Sequence, residues 1–145
     1  MRVLLPLGLL GALVSNATAQ SARDRAGLAR ALAAYDSVFA RQDPAAIASW
    51  FVADGAMGSV GHPPILGPDA IAAQLRRFAD FHLLADSLVA DSTRLLGDSA
   101  RMAGHYWQRV RLPAGDTVEA HGTFLMTWVR VPDQGWRLRR LITDP

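Results

Sequence analysis

The sequence predicts an α+β domain, with three helices gathered on one face of a curved, mainly antiparallel sheet. Two periodicities carry the prediction. From Ser21 to Arg41, the apolar residues Leu28, Leu32, Tyr35 and Phe39, joined by Ala31 and Val38, recur at helical spacing. From Ser99 to Val131 the period is two: Met102, Gly104, Tyr106, Gln108 and Val110 alternate with Arg101, Ala103, His105, Trp107 and Arg109. Helices come first and consecutive strands last, the order of an α+β domain rather than of repeated βαβ units.

The chain opens on a secretory pattern. Arg2 precedes an apolar run from Val3 to Val14, and Ala17-Thr18-Ala19 fits the small-residue site of signal peptidase. Residues 1–19 are therefore expected to be a signal peptide, leaving one domain at 20–145, periplasmic or secreted and off the membrane after cleavage. The competing reading, a short anchor, needs about 20 apolar residues, and this run is shorter and broken by Pro6, Gly8 and Gly11. With no Cys, lipoprotein attachment and disulfides are both excluded.

After the first helix, Asp43-Pro44 joins an N-cap residue to a Pro at the first helical position, opening a short second helix with Ile47 and Trp50 inward. Val52 to Met57 reads as a strand or bulge, Gly58 to Pro64 as an irregular hairpin, and Ile65-Leu66 as its return. Gly67-Pro68-Asp69 opens a third helix with Ile71, Leu75 and Phe78 on one stripe, and His82 and Leu83 lie past its end. Leu84 to Leu96 alternates weakly as a strand, and Gly97-Asp98 turns into the long hairpin. Pro113-Ala114-Gly115 closes that hairpin with Gly at the left-handed position. This closure sets Arg109 opposite Glu119, Trp107 opposite His121 and Tyr106 opposite Gly122. A slip of one residue would mix the faces, so the register is well specified. Pro132 to Gly135 turns into a last strand, Trp136 to Thr143, neither face of which is cleanly apolar.

Composition removes several function classes. All fifteen basic residues are Arg, so Schiff-base chemistry on a lysine is unavailable, and without Cys so is thiol catalysis. The net charge is +2 and the Arg residues are scattered apart from Arg137, Arg139 and Arg140, so no nucleic-acid partner is expected. His62, His82, His105 and His121 have no HxxxH, HxH or HExxH spacing, and no metal is expected. Gly55, Gly58 and Gly61 lack the Lys-Ser or Lys-Thr of a phosphate loop, and no Gly-x-Ser-x-Gly elbow is present. No cofactor is expected.

Several segments in this order carry a family resemblance: Tyr35 through Phe39-Ala40-Arg41-Gln42-Asp43, Ile47 to Ala56, Gly67-Pro68-Asp69-Ala70-Ile71, Gly122-Thr123-Phe124, Trp128-Val129-Arg130 and Gly135-Trp136-Arg137-Leu138. Together they resemble the NTF2-like superfamily, in its SnoaL-like and DUF4440 branches, over nearly all of the mature chain. The resemblance implies a cone with a pocket between the concave sheet face and the helices, and a homodimer. It implies no single activity, since the superfamily holds isomerases, dehydratases, epoxide hydrolases, cyclases and non-catalytic binders. Against ketosteroid isomerase, the oxyanion-hole Tyr corresponds to Tyr35, the general-base Asp falls at or near Ser59, and the second acid falls near Thr127 or Met126. One functional position of three is kept, which argues against proton transfer by that mechanism.

The candidate binding residues are Tyr35, Trp50, Tyr106, Gln108, Met126 and Trp128. Tyr35 reads either as a core ring with its hydroxyl at the edge or as a ligand-facing group. Tyr106 and Gln108, on the apolar face of the hairpin, either bond within the protein or are the few polar groups of an apolar pocket. Phe124, Met126 and Trp128 read singly as core, and with Trp50 and Tyr35 as an aromatic wall. His121 and Glu119 form a candidate acid-base pair if their face is concave, and lie in solvent or a dimer contact if it is convex; the apolar row opposite favours the convex reading. His62 and His82 are expected near a rim of the cone. The leading expectation is an exported domain holding a small apolar molecule without defined catalysis. The alternatives are a cofactor-independent acid-base enzyme (isomerase, dehydratase or cyclase type) and a structural dimerisation module with a filled core.

Overall fold

The computed structural model describes residues 9–145, with side chains from Ser15 onward; the first part of the expected signal peptide lies outside the described residues. Helix α1 (Leu9–Ala40) begins before the predicted Ser21. No Gly or Pro interrupts the chain between Gly11 and Gly27, so helical backbone continues through it. Residues 15–23 of that helix are exposed, and Leu28 is the first buried side chain after them. No helix among the described residues is long and apolar enough to cross a membrane.

Helix α2 (Pro44–Ala48) starts where predicted, because the Asp43 carboxylate accepts from the Ala45 and Ala46 amides at 3.0 and 3.1 Å. It ends before Trp50. Strands β1 (Phe51–Ser59) and β2 (Ile65–Leu66) form the short hairpin. Helix α3 (Pro68–Arg76) buries Ile71 but stops short of Phe78, which leaves the predicted stripe and packs edge-on against Phe81 with ring centres 5.4 Å apart. The remaining strands are β3 (His82–Leu96), β4 (Ser99–Arg111), β5 (Thr117–Val131) and β6 (Gly135–Asp144).

The strands form one sheet in the order β2-β1-β6-β5-β4-β3. It is a mixed sheet: β1 runs parallel to β6, and every other pair is antiparallel. The β4–β5 register matches the sequence reading throughout, with Arg109 on Glu119, Trp107 on His121 and Tyr106 on Gly122. At its turn Leu112 and Asp116 are hydrogen-bonded, and Gly115 has φ +100°. Register shifts in β1, β3 and β6 mark bulges, which add twist and bend the sheet. One of them explains the mixed pattern of the last strand. Trp128 pairs with Leu138 but Thr127 with Arg140, so Arg139 is an extra residue, and Trp136 and Leu138 before it share the buried side with Leu141 after it.

The helices cover the concave side. There Leu28, Ile71, Met102, Met126, Trp128 and Leu138 are almost completely buried. Gly104 is needed for the close strand contact at the bend: a Cβ there would lie 2.0 Å from the Val89 carbonyl oxygen and 2.6 Å from the Phe124 ring.

Candidate functional site

The same inward periodicity that builds the core leaves a cavity of about 810 Å³ between the helices and the sheet. Tyr35 and Phe39 from α1 form one wall, and Gln74 and Leu75 of α3 with Phe78 form another. The sheet supplies Leu88, Tyr106, Gln108, Phe124, Met126 and Leu141. Met57, Ser59 and Ile65 close the side toward the β1–β2 hairpin, with exposed His62 beside them. Among the described residues no Asp, Glu or Arg borders it.

Four of the six candidate binding residues, Tyr35, Tyr106, Gln108 and Met126, line this cavity. Trp50 and Trp128 do not, which corrects the aromatic wall read from the sequence. They stand behind Tyr35 instead: Trp50 meets Tyr35 edge-on at 6.2 Å and Trp128 edge-on at 6.3 Å. The physical reason is depth. All these rings point to the concave side, but Trp128 is under the helices and Trp50 is covered by the Arg137 guanidinium, 4.8 Å above its ring. The stack fixes the Tyr35 ring from behind.

Tyr35 is 1% exposed, and its hydroxyl is buried with no hydrogen-bond partner among the described residues. Burial, and then the neighbouring Asp36 carboxylate, hold this phenol above its ordinary pKa. Tyr106 is raised in the same way, by burial and then by Asp144. Both phenols are therefore neutral donors near pH 7 rather than bases. Tyr106 and Gln108 are not hydrogen-bonded to each other, and both line the cavity.

A second feature lies just outside the cavity. Asp36 on α1 and Asp86 on β3 meet carboxyl to carboxyl, and Oδ1 of Asp36 and Oδ2 of Asp86 are buried with no other donor. Burial first, then the hydrogen bond and charge of Asp36, push the Asp86 carboxyl up to about 6. Below that value a proton held on Asp86 and donated to Asp36 would pair these two oxygens. Sequence reading missed this pair, because it depends on where α1 crosses β3.

His121 and Glu119 lie exposed on the convex face and do not border the cavity, so the sheet does not place them as an acid-base pair within it. Glu119 accepts from Arg109 at 3.1 Å and from the Trp107 indole at 3.4 Å, contacts that lower its pKa. Beside them, His105 bonds Asp91 at 3.0 Å. Among the described residues no group of three or more His, Asp or Glu side chains could hold a metal ion.

In sequence, the SnoaL-like domain family matches residues 20–142. The chain belongs to the SnoaL-like family. No curated protein matches it. Solved structures share the fold at low identity. A candidate scytalone dehydratase from Novosphingobium aromaticivorans DSM 12444 has a TM-score of 0.75 at 18% identity, over 87% of this chain and 86% of that one. A ketosteroid isomerase-like protein from Erwinia carotovora atroseptica SCRI1043 gives 0.73 at 20%, over 82% and 93%. An NTF2-like protein with a cystatin-like fold from Novosphingobium aromaticivorans gives 0.68 at 24%, over 96% and 91%.

In this SnoaL-like domain Ser59, at or near which the sequence resemblance set the isomerase base, lines the cavity, and of Thr127 and Met126, near which it set the second acid, Met126 does so and Thr127 does not. Ser59 bonds the Thr143 hydroxyl at 2.9 Å instead of offering a base. His62 and His82 line cavities as rim residues, in keeping with their loop and helix-end positions in the sequence. Leu88 and Phe78 were not among the candidate residues; the weak alternation of β3 gave no clear sign that Leu88 faces inward.

Proposed function

We propose that this SnoaL-like domain binds a small, largely apolar molecule in the cavity, with Tyr35, Tyr106 and Gln108 as its polar contacts. The observation that carries the reading is the Tyr35 hydroxyl. Tyr35 lines the apolar cavity, and its buried hydroxyl has no hydrogen-bond partner among the described residues, a cost in stability that a polar group of a bound molecule reaching it would relieve. The cavity counts against a purely structural dimerisation module with a filled core. A second reading, a cofactor-independent acid-base enzyme of isomerase, dehydratase or cyclase type, draws on His62 at the cavity and on the raised Asp86 carboxyl. It ranks second because neither Asp36 nor Asp86 borders the cavity and both phenols are held neutral.

The domain works after export, processed between Ala19 and Gln20; the family match beginning at residue 20 supports that boundary. It works as a homodimer, for which exposed Leu125 and Val89 on the convex face offer an apolar surface. Native mass spectrometry of the purified mature protein, followed by denaturing extraction, tests the reading. A small molecule retained by the wild type and lost from Tyr106→Phe supports it. Retention unchanged in Tyr106→Phe and in Tyr35→Phe counts against the assigned contacts.

A further inference from the structure

We propose that the ligand is an amphipathic carboxylate whose anionic end lies at a rim formed by Arg41, Arg76 and His82. This rests on the binding reading above and names the class of ligand. A second cavity of about 700 Å³ adjoins the first, with Phe39, Leu75, Phe78 and Gln108 bordering both. Its apolar lining continues through Ile47, Phe81, Leu83 and Val110. Its charged and titratable lining residues are Arg41, Arg76 and His82, and no carboxylate is among them. The two adjoining cavities thus offer a neutral, phenol-lined part and a basic one, the polarity that suits an apolar body ending in a single negative charge.

These cations are available. Arg109, Arg130 and Arg139 each face a carboxylate, whereas Arg41 and Arg76 make no ion pair among the described residues. Asp43, close to Arg41 in sequence, is turned onto the α2 amides, and Asp80 does not border the cavity. The rim is also built. Gln42 adopts φ 53°, a left-handed conformation disfavoured for a residue with a side chain. From there its amide donates to the Phe81 carbonyl at 2.8 Å and accepts from the Leu83 amide at 2.9 Å. Those two bonds flank His82, so they fasten the backbone next to Arg41 to the backbone carrying His82.

The test is displacement of the neutral fluorophore N-phenyl-1-naphthylamine from the purified protein by dodecanoate and by dodecan-1-ol. Wild type should prefer dodecanoate by about 10-fold, as one charge-assisted contact would give. The preference should shrink as salt is raised. Arg41→Gln with Arg76→Gln, both at exposed positions, should abolish the preference by weakening dodecanoate far more than dodecan-1-ol. Equal binding of the two by wild type, or a preference that survives the double substitution, would overturn the carboxylate assignment and leave the apolar-ligand reading standing. Binding of neither compound would overturn both.

Discussion

Replacing Asp86 by Asn should remove a pH dependence of stability that the wild type carries. In the folded chain the Asp86 carboxyl is pushed from 3.8 up to about 6, by burial and by Asp36. An unfolded chain has no such neighbour, so between about pH 4 and pH 6 the folded state holds a proton that the unfolded state has released. Stability therefore falls as pH rises through this window, and the full penalty is present above it. The shift corresponds to about 3 kcal/mol before screening. Asp86 is only half-buried, which brings the expected effect down to about 1–2 kcal/mol. Asn has nearly the same shape, donates to Asp36 without needing a shared proton, and does not titrate. Urea unfolding of both proteins at pH 4, 5, 6 and 7.5 should show Asp86→Asn more stable than wild type at pH 7.5, with the difference shrinking toward pH 4. Parallel stability curves across that range would refute the shared-proton account.

Tyr35→Phe should leave the ligand-free protein as stable as wild type or about 1 kcal/mol more so, since it deletes a buried hydroxyl that has no partner among the described residues. Thermal unfolding measures this, and a loss above about 2 kcal/mol would point to a hydrogen bond within the protein instead. Gly104→Ala should cost about 3 kcal/mol or more in urea unfolding, because its methyl would meet the Val89 carbonyl oxygen at 2.0 Å, where backbone cannot easily yield. Asp43→Ala should cost about 1 kcal/mol by removing the acceptor for the Ala45 and Ala46 amides, again read by unfolding.

What the sequence revealed and what it hid follow from the range of the interactions involved. The β4–β5 register was legible because a period of two and a three-residue turn fix it locally, down to Arg109 opposite Glu119. The placement of Glu119 and His121 on the convex side followed from the apolar row opposite them. The start of α2 was legible from Asp43-Pro44 alone. Long-range features were not. The parallel contact of β1 with β6 joins segments far apart in the chain, and the bulge at Arg139 shows in sequence only as an unclear facing of the last strand. The cavity residues Tyr35, Tyr106, Gln108 and Met126 were found because they share the inward face. That face also carries the core, so the pattern could not tell Trp128, deep under the helices, from a residue that borders open space. Asp36 and Asp86 were missed because neither belongs to a motif, and only the crossing of α1 over β3 brings them together.

The central claim is that the space between the helices and the sheet receives an apolar molecule, and one titration tests it most directly. N-phenyl-1-naphthylamine is titrated into the wild type and into Leu88→Trp, which sets an indole into the cavity from β3, with circular dichroism confirming that both are folded. Saturable binding at one site per chain is expected in the wild type and little or none in Leu88→Trp. Equal binding by the two folded proteins, or no binding by the wild type, would contradict it.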